Sequence, residues 1–84
     1  MAKEVSFAID RKFGVISERT DRHGNKWTKE LNAVSWDGET TKLDIREWNE
    51  DHTRMLKGVT LTKEEAEVLY MRLDAILKGG RHDS

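Results

Sequence analysis

"KLDIREWN", residues 42–49, is the stretch on which the fold reading turns. Successive side chains on a strand project to opposite faces. Leu43 and Ile45 therefore point one way, and Lys42, Asp44, Arg46 and Trp48 the other. A strand with an apolar face and a face of cations and tryptophan belongs to a sheet with one side covered and one side open.

The neighbours of this stretch extend the pattern. Upstream, "KWTKELNAVSW" (26–36) reads as a second strand, joined through "DGETT" (37–41), whose Asp-Gly is a hairpin signal. One face of that strand carries Trp27, Lys29, Leu31, Ala33 and Ser35, and the other Thr28, Glu30, Asn32, Val34 and Trp36. Before it, Val5 to Glu18 reads as strand material broken near Asp10 to Lys12, giving an N-terminal strand hairpin, and "ERTDRHGN" (18–25) reads as a polar turn. Downstream, "EDHTRMLK" (50–57) is a connection and "GVTL" (58–61) a short last strand.

A helix closes the chain. Thr62 and Glu65 have capping-box spacing, and Ala66, Leu69, Tyr70, Leu73, Ile76 and Leu77 recur as an apolar stripe. Gly79 and Gly80 are expected to end the helix, leaving "RHDS" in a flexible tail over 79–84 after a single domain over 1–78. Val68, Met71 and Ala75 lie off the main stripe and are candidates for a dimer interface, or scattered surface apolars. The expected class is α+β: a curved antiparallel sheet of about four strands, plus the N-terminal hairpin, followed by one C-terminal helix.

With 84 residues and no cysteine, the chain has a small core and no disulfide or cysteine-based metal site. Dimerisation is then the available extra source of stability. "MAKEVSFAID" lacks the apolar region of a signal peptide, and no apolar run reaches membrane-spanning length. A soluble, cytoplasmic protein without a membrane partner is expected. Charged residues are 37% of the chain but the net charge is -1, which argues against gripping duplex DNA by bulk positive charge.

With Leu31, Ala33, Leu43 and Ile45 under the helix stripe, Asn32, Trp36, Lys42, Arg46 and Trp48 are left together on an open face. Aromatics stack bases whatever their sequence, at about 1–3 kcal/mol per base, and cations among them meet phosphates. The same composition also serves a protein-docking hot spot, and cross-strand aromatic pairs stabilise sheets without any partner. His23, His52 and His82 show no ligand spacing and read as solvated side chains. No glycine-rich phosphate loop or nucleophile elbow is present, so neither an enzyme nor a cofactor is expected.

From Trp27 to Leu77 the chain resembles the positive-cofactor-four family of transcriptional coactivators, most closely its small bacterial (YdbC-like) branch. "VSW", "DIREW" and "KGVTLTKEE" carry the resemblance by their order and spacing. It implies a homodimer in which single-stranded DNA runs along the paired sheets with little sequence preference. It also implies a role in transcription or DNA maintenance, nucleoid association, and a possible partner in the transcription machinery. Arg46 and Lys57 match basic binding positions; Trp36 and Asn32 lie on the matching strand and face, and Trp27 and Lys29 match the bacterial branch. Trp48 stands one position before the family's stacking tryptophan, where this chain has Asn49. Together with Lys42, these are the expected nucleic-acid-binding residues. Sequence leaves open whether the strand is DNA or RNA.

Overall fold

The first two hairpins of the fold are each closed by a short local signal. The chain runs β1 (Phe7–Thr20), β2 (Lys26–Trp36), β3 (Lys42–Asn49), β4 (Val59–Leu61) and α1 (Lys63–His82). The computed structural model describes residues 6–82, with side chains for 6–78. Val5, expected to begin the first strand, and Asp83 and Ser84 of the expected tail lie outside the described residues. The strands form one open sheet in the order β1-β2-β3-β4, every pair antiparallel, giving an α+β fold.

Between β2 and β3, Asp37 and Gly38 both have positive φ (52° and 76°), and the Glu39 amide donates to the Trp36 carbonyl at 2.9 Å. That is the backbone twist a two-residue Asp-Gly hairpin turn needs. At the β1–β2 turn, the Asp21 carboxylate accepts the His23 and Asn25 amides and the Trp27 indole N–H at 2.9, 2.9 and 3.0 Å. These donors, the indole first, hold the Asp21 pKa down at about 2.

The N-terminal segment is one long strand, not a hairpin. β1 pairs with the whole of β2 and absorbs its breaks as register shifts between Ile9 and Arg11, Lys12 and Gly14, and Val15 and Ser17. Extra residues of this kind bend and twist a strand without ending it. Gly58 has its own steric reason. A Cβ there would collide with the Arg46 Cβ and the Ile45 carbonyl oxygen, so only glycine lets the chain enter β4 this close to β3.

The helix begins with the expected capping box: the Glu65 amide donates to Thr62 Oγ1 at 3.1 Å and the Thr62 amide to Glu65 Oε1 at 2.9 Å. It does not stop at Gly79 and Gly80 but continues to His82. Glycine lowers helix stability by about 1 kcal/mol relative to alanine without forbidding the conformation. No helix among the described residues is long and apolar enough to cross a membrane.

The faces of the sheet fill differently from the sequence reading. The register pairs Asn32 with Asp44, Thr28 with Trp48, and Leu31 with Ile45, so the two faces hold the expected residues. Their burial is reversed. The polar and aromatic face is closed: Val34, Trp48 and Asp44 are fully buried and Asn32 and Glu30 nearly so. Leu31, Ala33, Leu43 and Ile45 on the other face are only half-buried, and Val59 is 55% exposed.

The helix does not cover that face. It meets the sheet only at β3 and β4, and Val68, Leu69, Tyr70, Met71, Leu73, Ile76 and Leu77 all remain exposed. The radius of gyration is 15.5 Å, against about 12 Å for a compact domain of this length. The accessible surface is 6848 Å², against about 5,200 Å² for a folded monomer of this mass.

Candidate nucleic-acid interface

The closed face is built from β2 and β3, with a lid contributed by β1 and by residues 50–58. Phe7 stands opposite Trp36 in the β1–β2 register. Its ring lies 5.9 Å from Trp36 and 5.2 Å from Trp48, tilted in both cases, within the range of favourable aromatic pairs. On the other flank the 50–58 connection folds back, forms a bridge between Met55 and Trp48, and sets the His52 ring 5.5 Å from Trp48.

Two buried carboxylates organise this face. Asp44 accepts Arg46 Nε and Nη2, both at 2.7 Å, and Thr60 Oγ1 at 3.0 Å. The fork-to-carboxylate geometry is the strong, directional form of an ion pair. Glu30 accepts Thr28 Oγ1 at 2.6 Å and Asn32 Nδ2 at 3.1 Å, and His52 Nε2 lies 2.9 and 3.0 Å from its two oxygens. Burial pushes the Glu30 carboxyl upward, but these donors together outweigh it and hold it below the usual range.

Held by Asp44, the Arg46 guanidinium lies over the Trp36 ring, 4.6 Å from its centroid. Arg46 Nη1 also points to the Leu56 carbonyl at 3.5 Å and to Met55 Sδ at 3.8 Å. Trp36, Arg46, Met55 and Thr60 line an apolar cleft of about 370 Å³. The cleft thus borders a flat guanidinium already layered on an indole, the kind of surface on which a planar ring stacks. Lys42, at the mouth of β3, and Lys57, beside Gly58, are both exposed. Lys12 on β1, opposite Asn32 in the register, is exposed as well.

The expected site residues separate accordingly. Trp36 and Arg46 line the cleft, Lys42 shares their face of the sheet, and Lys57 is exposed next to Gly58, which packs on Arg46. Trp48 and Asn32 share its face but are not open to solvent as the strand parity suggested. Trp48 is fully buried beneath Phe7 and His52, and Asn32 is buried with its Nδ2 donating to Glu30 and its Oδ1 without a partner. Arg46 is not a free phosphate ligand either, since two of its nitrogens are turned inward to Asp44. Trp27 and Lys29 lie on the opposite face. There Arg19 sits 6.0 Å over the Trp27 ring and donates to Glu47 at 2.8 and 3.0 Å. That hydrogen bond holds the Glu47 carboxyl below its usual range and raises the Arg19 pKa.

Sequence reasoning passed over three members of the site. His52 reads in the sequence as a solvated side chain, yet it packs on Trp48 and bonds Glu30. No local pattern connects positions 22 residues apart. Phe7 belongs to a strand whose bulges hide its parity. Met55 sits in a connection where an alternation test has nothing to grip.

A family model described as Transcriptional Coactivator p15 (PC4) matches residues 24–71, more than half of the chain. The chain belongs to the transcriptional coactivator p15 (PC4) family. An uncharacterized protein of Treponema pallidum (strain Nichols) is 41% identical over 63 residues, which are 75% of this chain and 69% of that protein. The PC4 match takes in β2, β3, β4 and the first half of α1, and with them the whole Trp36–Arg46–Met55–Thr60 cleft. β1, which supplies the Phe7 lid, lies outside it.

Proposed function

We propose that this PC4-family chain is a non-enzymatic, homodimeric single-stranded-DNA-binding protein that acts in transcription. The observation that carries the reading is the layered Trp36–Arg46 pair at the edge of an apolar cleft with exposed lysines beside it. A base entering the cleft stacks on the guanidinium and the indole behind it. Lys42, Lys57 and Lys12 then neutralise the phosphates on either side. A duplex keeps its base faces inside the stack, so it cannot use such a cleft, and single strands are preferred. Trp48 and Asn32 serve this site from beneath, by fixing its floor.

What one chain leaves uncovered supports the dimer. The accessible surface exceeds the monomer expectation by roughly 1,600 Å², and a standard interface removes about 800 Å² per partner. The exposed apolar side of α1, including Val68, Met71 and Ala75, and the half-covered sheet face are the surfaces a second copy would bury.

Anisotropy with labelled oligo-dT, oligo-U and duplex of equal length, at two salt concentrations, tests the reading. The expected result is tight binding of the DNA single strand alone, weakened by salt through counterion release. Trp36→Ala should lose about 1–3 kcal/mol, or roughly 5- to 150-fold. Equal affinity for duplex would refute the reading, and preference for oligo-U would reassign the partner to RNA.

A further inference from the structure

We propose that His52 is a positioning residue for the nucleic-acid cleft: its protonation tightens the bond to Glu30 that fixes the 50–58 connection, and with it Met55, against Arg46. The inference rests on the single-strand reading above.

His52 adopts φ 59°, the left-handed region that side chains rarely enter, and its own amide donates to the Asn49 carbonyl at 3.1 Å. That turn aims the ring inward, where its side chain is 23% exposed and Glu30's 6%. From this anchor the connection runs on through the Asn49–Arg54 and Leu56–Glu47 backbone bonds, both 3.0 Å, to Met55 and the Leu56 carbonyl on Arg46. One half-buried imidazole therefore stands between the buried floor and the wall of the cleft.

The two buried carboxylates are compensated differently. Asp44 faces an arginine, which is always charged. Glu30 is fully matched only when His52 carries a proton on both ring nitrogens. Around the pair, β2 contributes the neutral Thr28 and Asn32, and β3 the neutral Trp48 together with Arg46, which stands opposite Glu30 in the register but turns its guanidinium to Asp44. On its own connection His52 is flanked by Glu50, Asp51 and Arg54; Asp51 is engaged by Thr53, whose hydroxyl bond foremost holds its carboxyl low. On β1, Lys12 stands opposite Asn32, and Glu18 stands opposite Thr28 and lies 3.5 Å from the Lys26 ammonium.

Histidine is the side chain whose ordinary titration falls between pH 5 and 8. A neutral ring with its proton on Nε2 still donates to the Glu30 carboxylate, but the donor no longer carries a charge, and the buried negative charge beneath a polyanion's path loses that counter-charge. Both effects point the same way. A partly exposed ion pair is worth up to about 1 kcal/mol, so affinity for a single strand should fall about fivefold when the ring loses its proton.

The experiment is a pH series from 5.5 to 8.5 at constant ionic strength, with two readouts on the full chain. NMR of the free protein follows the His52 ring, the Trp48 indole and the Met55 methyl, while anisotropy follows oligo-dT affinity. The expected outcome is that Trp48 and Met55 shift together with the His52 ring, and that affinity falls about fivefold in the wild type and in His23→Gln. His52→Gln and Glu30→Gln should give flat profiles. A Trp48 and Met55 response that does not follow His52, or an unchanged profile in His52→Gln, would overturn the inference while binding itself persists. Absence of oligo-dT binding at every pH would instead refute the single-strand reading, and with it the role of His52 toward the cleft.

Discussion

Asp44→Asn is the perturbation whose consequences are best determined by the geometry. The change keeps the shape of the side chain and removes its charge. In the native protein both carboxylate oxygens are occupied, by Arg46 Nε and Nη2 at 2.7 Å and by Thr60 at 3.0 Å. An asparagine offers one oxygen, and its amide faces a guanidinium nitrogen in either orientation: Nε in place of Oδ1, or Nη2 together with Thr60 Oγ1 in place of Oδ2. One charge-assisted bond is lost outright, and the guanidinium keeps its charge without a partner. Breaking a buried pair on one side costs about 3–5 kcal/mol. The Arg46 side chain is 14% exposed and can recover some hydration, so the low end, about 3 kcal/mol, applies. For a domain of this length that corresponds to a melting shift of about 17 °C.

Urea and thermal melts followed by circular dichroism, at one fixed protomer concentration, measure it. Arg46→Met with Asp44→Asn should cost less than the two single changes added, because no charge is left stranded. The exposed Arg19–Glu47 pair is the internal control, and Glu47→Gln should melt near the wild type. A loss below about 0.5 kcal/mol for Asp44→Asn would refute the reasoning, since it is the size expected of an ordinary surface substitution.

Other consequences are open to equally direct measurement. Because the Asp21 pKa is held at about 2 instead of 3.8, its contribution to stability is present above pH 4 and lost as pH falls from about 4 to 2. Asp21→Asn should flatten that part of the acid-stability profile, and the Trp27 indole resonance should titrate with it in the native protein. Thr62→Ala removes one half of the reciprocal cap and should lower stability by about 1 kcal/mol, read by urea denaturation. Leu73→Lys places a charge on the exposed apolar side of α1, and light scattering should then report a monomer where the wild type reports a dimer. A wild-type melting temperature independent of protomer concentration would count against that dimer.

The sequence was legible wherever one short period or local signal governed the structure. β2 and β3 occupy Lys26–Trp36 and Lys42–Asn49 as the alternation requires, and Asp37-Gly38 and Thr62–Glu65 make the turn and the cap that their spacing specifies. Face membership was also legible, because strand parity fixes it. Which face is closed was not. That outcome depends on Phe7, carried by a strand with three register shifts, and on His52, placed by a left-handed turn in a connection. Neither leaves a periodic trace. The same limit explains Arg46. Its position as a cation on the site face could be read, whereas its lock onto Asp44 two residues away depends on side-chain rotamers. The uncovered helix has a further cause: an apolar stripe states that something must bury it, not that the same chain does.

The most direct measurement of the central claim is an indole-region NMR titration of the three tryptophans with oligo-dT, assigned through single Trp→Phe variants. The Trp36 resonance should move most, Trp48 should respond weakly through the shared face, and Trp27, on the opposite face, should stay in place. Movement of Trp27 with Trp36 silent would place the single strand on the other side of the sheet and contradict the Trp36–Arg46 cleft as the site.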